Sequence, residues 1–179
     1  MAKFTLHSID SAPEGSQERL KSAKEEMGMV PNLFAVMAES PELLEAYQTL
    51  DGLFQKSGFN KNEITTVWQT INVFHDCHYC IPAHTAIAKN MGADDEITKS
   101  IKAGDDLADD KLQALHQFTK AMLKQRGGVD DDTVSKFLEA GYEHRHVLAV
   151  VLGIAHKTMS NYTNHLAETP VDDPFKKFE

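Results

Sequence analysis

Cysteine is nearly absent. Two of the 179 residues carry a thiol, Cys77 and Cys80, and they stand three positions apart, so no disulfide can staple distant parts of the fold. Long apolar runs are missing as well. Nowhere do 18 apolar residues stand together as a membrane span requires, and the start MAKFTLHSID has no apolar stretch of signal-peptide length. A cytosolic protein without a membrane anchor is the expectation. Basic charge is scarce: 18 Lys plus Arg face 27 Asp plus Glu, a formal net charge of -9, with no basic cluster. That balance repels nucleic acid and anionic lipid and argues against both as partners.

Alternating β-branched runs are lacking too, which excludes a sheet protein and leaves an all-α reading. With 41% hydrophobic residues, 179 positions suffice for one substantial core, so residues 1–179 are read as a single helical domain of about eight helices. Punctuation supports this. Gly28 stops a helix over 16–27, Ser40-Pro41 opens one over 41–57, and Asn60-Lys61-Asn62-Glu63 has the capping-box form ahead of a helix to position 74. Further helices are predicted over 81–91, 95–103, 110–125, 131–140 and 143–166. The acidic pairs that precede several of them are read as caps rather than calcium ligands. With two prolines and no helical period, 170–179 is expected to be an extended C-terminal arm, suited to packing on a neighbouring subunit.

The chemistry is concentrated in Phe74-His75-Asp76-Cys77-His78-Tyr79-Cys80-Ile81-Pro82-Ala83-His84. Two thiols this close can join and part reversibly, and a helix N-terminus beside them favours the thiolate. Asp76 is expected to cap that helix. Cys80 and His84, four apart, are neighbours on one helical face, whereas Cys77 lies roughly 10.5 Å from His84 along the axis. His84 is therefore expected to serve Cys80. Cys80 would attack a peroxide oxygen, and Cys77 would resolve the sulfenic acid to a disulfide. Pro82 requires that the helix begin near Cys80 or kink. Two other uses remain open: a structural zinc held by Cys77, Cys80 and His84 with His75 or His78, and an inert pair of buried thiols. Haem attachment fails, because Ile81 stands where CxxCH needs histidine.

The pattern Cys77-x-x-Cys80-x-x-x-His84, with Tyr79 and the run AHTAIAKNMG after the second cysteine, resembles the AhpD-like alkylhydroperoxidases of the carboxymuconolactone decarboxylase superfamily. The stretches Gly28 to Leu33, Ser40-Pro41 and Asn161 to Pro170 resemble its peroxidase-related branch, so the similarity covers nearly the whole chain. It implies an AhpD-like helical fold in homo-oligomers, trimers or hexamers. It also implies a peroxidatic second cysteine, a hydroperoxide or disulfide substrate and reduction by a dithiol such as a lipoylated protein. Neither cofactor nor metal is implied. A cofactor-free decarboxylation with His84 as acid or base is the superfamily's alternative. One departure stands out: the glutamate that commonly lies twelve residues before the first cysteine, as part of a proton relay, is Thr65 here. Gln69, one turn on, could hold a water or substrate oxygen, and His75 or His78 are the candidates to carry the relay instead. Trp68, Phe74 and Val67 are read as core, while Asn161 and His165 could line the site or a subunit contact.

Overall fold

The computed structural model describes residues 4–179. Ten helices and no strand are found among them: α1 (Glu14–Met27), α2 (Asn32–Met37), α3 (Pro41–Gln55), α4 (Lys61–Phe74), α5 (Cys80–Met91), α6 (Asp95–Ala103), α7 (Asp110–Lys124), α8 (Asp131–Glu139), α9 (His144–Ala167) and α10 (Asp173–Lys176). Their ends are set by local chemistry. Asn60 Oδ1 accepts from the Glu63 amide at 3.1 Å while Glu63 Oε2 accepts from the Asn60 amide at 2.8 Å, closing the expected capping box on α4. Ser40 accepts from the Leu43 amide ahead of α3, with Pro41 at the first helical position.

Asp76 does something other than expected. It leaves α5 uncapped and instead ends α4 in the left-handed conformation, at φ 51°. The Cys77 amide donates to Asn72 O and the Asp76 amide to Val73 O, each at 3.0 Å, the paired bonds of a Schellman ending. Aspartate tolerates this backbone better than most side chains. The turn reverses the chain within a few residues and delivers Cys80 to the first position of α5. Pro82 then falls in that helix's first turn, where no amide is needed, so the helix starts near Cys80 and does not kink.

Buried α4 is the hub, packing on α5, α6, α7 and α9, while α3 lies along α9. One core cluster gathers Phe54, Trp68, Ile71, Phe118, Phe137 and Val150, and a second gathers Leu20, Leu33, Met37 and Leu44 around the two cysteines. Trp68 and Val67 are core as expected, but Phe74, at the last turn of α4, is exposed. Where α9 crosses α3 and α4 the backbones come close: a β-carbon on Gly153 would lie 2.8 Å from Phe54 and 2.9 Å from Val67. Gly153→Ala is expected to lower stability by about 1–3 kcal/mol through this overpacking, despite alanine's better helix propensity. An unchanged or raised urea midpoint would contradict that crossing.

The C-terminal arm corrects the sequence reading. It is not fully extended. Pro174 sits in the first turn of α10, where proline favours a helix start, and Asp172 before it anchors the segment to its own chain. Tyr79 Oη donates to Asp172 at 2.5 Å, the Asn32 amide donates to the same carboxylate at 3.1 Å, and the Phe175 ring meets Tyr79 edge-on.

Candidate active site

Both cysteines are buried and free, but they differ in outlook. Cys80 lines a cavity of about 750 Å³ bounded by α1, α2, α3, α5, α9 and α10; Cys77 does not reach it. The Cys80 amide donates to Cys77 Sγ at 3.2 Å, holding the second sulfur directly behind the first. Tyr47, Asp51, His84 and Lys157 share the cavity wall with Cys80, and Leu33, Phe34 and Phe175 supply apolar surface.

The buried face of α9 supplies the polar half. Lys157, Ser160, Asn161 and Asn164 recur at helical spacing on one side of α9, and all four are fully buried. Asn164 Nδ2 donates to Cys80 Sγ at 3.2 Å. Asn161 Nδ2 donates to Asn72 Oδ1 at 3.0 Å, and Asn72 in turn donates to Cys80 O at 3.3 Å. Lys157 Nζ donates to His84 Nε2 at 2.6 Å.

These partners favour ionisation at Cys80. Burial pushes the Cys80 pKa up, but the Cys77 thiol hydrogen bond, the Lys157 charge and the Asn164 and Asn161 amides outweigh it and bring it down to about 6. At the first residue of α5 the sulfur also meets that helix's positive end. Cys77 moves the other way: its hydrogen bond to the Cys80 sulfur, burial and the neighbouring negative charge all hold its proton on. Near neutral pH the pair is thiolate at Cys80 and thiol at Cys77.

The remaining sequence candidates fall into two groups. His84 is at the site but not as a cation: burial, Lys157 and His156 drive its pKa well down, and among the described residues no hydrogen bond joins it to Cys80. The service to Cys80 expected of His84 falls to Lys157, whose charge lowers the thiol's pKa. The others are placed elsewhere. Thr65 donates into its own helix at Lys61 O, 2.8 Å away. Gln69 uses its amide to tie α4 to α5, donating to Ile81 O and Thr85 Oγ1 at 3.2 and 3.1 Å and accepting from Asn72, so no N–H remains to donate to a water or substrate oxygen. His75 packs against Tyr162, and exposed His78 pairs with Thr169 O at 2.9 Å; neither lines the cavity, so neither is placed to carry a relay there. His165 is exposed, and no cluster of three or more His, Cys, Asp or Glu suited to a metal occurs among the described residues.

Lys157, Asn164, Tyr47 and Asp51 were missed from sequence. The signal for the first two was present, since the polar series 157, 160, 161, 164 follows one face of α9 at helical spacing. Asp51 lies 3.7 Å from His156 Nε2, and burial raises its pKa against the opposing pull of Lys157.

Two imidazoles held neutral in the interior make stability pH-dependent. His84 sits well below its usual 6.5, and burial with the nearby Lys157 takes His156 to about 2. Below pH ~6.5 the unfolded chain binds protons there that the native chain refuses, so stability falls as pH falls, at up to about 2.7 kcal/mol per pH unit for two groups. Asp51 and Asp172, whose pKa values are raised by burial, oppose this in the acid range. Urea melts from pH 7 to 5 should show a falling midpoint; a flat profile would show that these rings titrate freely.

Comparison with solved structures places this geometry in a known fold. A peroxidase-related protein from Ralstonia eutropha JMP134, described as an alkylhydroperoxidase AhpD core, matches with a TM-score of 0.86 at 18% identity over 97% of this chain and 93% of that one. A peroxidase-related protein from Silicibacter sp. TM1040 gives 0.80 at 18% identity over 98% and 97%. The debrominase Bmp8 in complex with 2,3,4-tribromopyrrole gives 0.80 at 13% identity over 99% and 95%. No family model and no curated protein matches the chain. The chain has the AhpD-like helical fold.

Proposed function

We propose that this chain is a thiol-dependent peroxidase, a dithiol–disulfide oxidoreductase acting on organic hydroperoxides. What carries the reading is that Cys80, alone of the two sulfurs, faces the cavity beside buried Lys157, with Cys77 behind it. The Cys80 thiolate attacks one peroxide oxygen; the O–O bond breaks, and the leaving alkoxide takes a proton from the Lys157 ammonium. Cys80 is now a sulfenic acid and Lys157 a neutral amine, able to receive the proton of Cys77. The Cys77 thiolate displaces hydroxide from Cys80, which takes that proton back from the Lys157 ammonium and leaves as water, and the disulfide is formed. One hydroperoxide is reduced to an alcohol, two thiols are oxidised, and an external dithiol, such as a lipoylated protein, restores them by exchange. Lys157 with Asp51 at the cavity wall thereby fills the place left empty by Thr65.

The test is a titration of the reduced protein with one equivalent of an organic hydroperoxide, with mass spectrometry of the product. A Cys77–Cys80 bridge formed in step with alcohol release is expected. Thiols that stay reduced, or a stoichiometric zinc ion bound by them, would overturn the proposal.

The aromatic walls of the cavity, Phe34, Tyr47, Tyr79 and Phe175, together with the fold shared with a debrominase, favour one second reading. Two thiols can also reduce an aryl bromide, giving the arene, hydrogen bromide and the same disulfide. Bromide release from 2,3,4-tribromopyrrole without peroxide would support it over peroxide reduction.

A further inference from the structure

Oxidation and reduction of the dithiol call on different sulfurs. Peroxide reaches Cys80 through the cavity, but a Cys77–Cys80 disulfide can be attacked at either end. In thiol–disulfide exchange the sulfur that is not attacked leaves as a thiolate, and the more acidic of the two leaves faster. Cys80 is the more acidic thiol of the pair, and Cys77 holds its proton. A reducing dithiol is therefore best served by attacking Cys77 and expelling Cys80. Cys77 is 0% exposed and does not line the cavity, so an incoming sulfur has no path to it while the fold stays closed.

The segment after α9 is laid across this turn. It leaves α9 at Glu168, in the left-handed conformation at φ 48°, and both residues between the cysteines hold it. His78 Nε2 donates to Thr169 O at 2.9 Å, and Tyr79 Oη donates to Asp172 Oδ2 at 2.5 Å. Asn32 holds it from α2, its amide donating to Asp172 at 3.1 Å and its side chain to Pro170 O at 3.0 Å, and Lys102 donates to Phe178 O at 3.1 Å. Val171 packs in the core cluster that contains both sulfurs. The other walls of that cluster belong to α1, α2, α3 and α5, each of which buries several residues, whereas α10 buries none. Lifting the segment breaks these polar contacts and uncovers Val171, which costs far less than parting the long helices; local openings of this kind lie at the low-energy end of native motion. A strap fastened by the two residues that separate the cysteines exposes their turn when it moves.

We propose that residues 169–178 form a strap that lifts off the Cys77–Cys80 turn to admit the reducing dithiol to Cys77, a role that rests on the proposed dithiol–disulfide cycle. One thiolate of the dithiol bonds to Cys77 Sγ as the Cys77–Cys80 bond breaks, and Cys80 leaves as thiolate. The second thiol then closes on the first and releases Cys77, which takes up that thiol's proton. The dithiol is oxidised to its disulfide and both protein sulfurs are reduced. Substrate and reductant thus use separate entrances, the cavity for one and the lifted strap for the other.

The test measures the two half-reactions separately, on the full chain. The disulfide is made with diamide, so its reduction can be followed whether or not the protein consumes peroxide. Asp172→Ala removes the bonds to Tyr79 and to the Asn32 amide, and Asn32→Ala removes the side-chain bond to Pro170; neither residue lines the cavity. Reduction by dithiothreitol should quicken roughly 10-fold in Asp172→Ala and about 3-fold in Asn32→Ala, the shifts in an opening equilibrium expected for losing a charged and a neutral hydrogen bond. Oxidation of the reduced variants by cumene hydroperoxide should stay within about twofold of the unaltered protein, because the open form remains a minor state and peroxide enters the closed one. Should Asp172→Ala fail to fold, Asn32→Ala decides alone, since it keeps the amide bond to Asp172. Reduction no faster than in the unaltered protein, or oxidation quickened as much as reduction, would overturn the strap. Failure of cumene hydroperoxide to oxidise the dithiol would instead overturn the peroxidase reading, and the diamide-made disulfide still reports on the strap.

Discussion

Cys80→Ser is expected to abolish turnover of an organic hydroperoxide, whereas Cys77→Ser should still reduce one equivalent per chain and then stop. The asymmetry follows from position and charge together. Only Cys80 lines the cavity, and only Cys80 is held as a thiolate, near a pKa of about 6. A serine hydroxyl in its place stays protonated at neutral pH and cannot attack the O–O bond. The remaining Cys77 cannot take over, because it lies behind position 80 and its proton is held on. In Cys77→Ser the first step survives, since a serine hydroxyl can still donate a hydrogen bond toward the Cys80 sulfur. The resolving sulfur is gone, so a sulfenic acid accumulates and can be trapped with a dimedone-type reagent. Appreciable turnover in Cys80→Ser, or unlimited turnover in Cys77→Ser with only the dithiol added, would remove Cys80 from its assigned role.

Much of the fold was legible because helix boundaries are written in short-range chemistry. Asn60 and Glu63 cap α4 within four residues, and Ser40-Pro41 opens α3 by the same local rules. The dithiol was legible for the same reason, since Cys77 and Cys80 are near neighbours whatever surrounds them. The surroundings were not. Asn164, which donates to the Cys80 sulfur, is 84 positions away, and Lys157, which holds His84, is 73 positions away. Those contacts exist only because α9 packs across α5.

His84 shows the limit most plainly. Helical spacing placed it beside Cys80, but spacing says nothing about what captures the ring, and a buried amine did. Gln69 was misjudged similarly: its place on α4 was correct, but the carbonyl of Ile81 and the hydroxyl of Thr85 claimed its amide first. The arm after Pro170 was misread because a four-residue helix has no period to detect. Asp172, the carboxylate that pins it, finds its partner in Tyr79, 93 positions earlier.

Lys157→Met is the substitution that tests the counter-charge of the thiolate most directly. The methionine side chain approximates the lysine stem in length and fills the same space, so the change is mainly the loss of a buried charge. Without it, burial of Cys80 is opposed only by the Cys77 hydrogen bond, two amides and the end of α5, and its pKa climbs from about 6 back toward the ordinary thiol range. A rise of one to two units lowers the thiolate available at neutral pH, and hence peroxide attack, by roughly 2- to 10-fold. The loss is pH-dependent in a definite direction. Rates in the unaltered protein level off above pH ~6, whereas the variant keeps gaining rate as pH rises beyond 7. Stability does not rise with the loss of the amine, because removing one partner of a buried pair leaves the other charge uncompensated, a change that typically costs about 3–5 kcal/mol. Uptake of a proton by Cys80 limits that cost, since a neutral thiol needs no counter-charge, and relief of the buried ammonium offsets part of it. A variant that stays folded, is slower at pH 7 and is partly rescued at higher pH identifies Lys157 as the counter-charge of the thiolate. If the iodoacetamide reactivity of Cys80 keeps its pH profile in Lys157→Met, the charge that holds the sulfur ionised lies elsewhere.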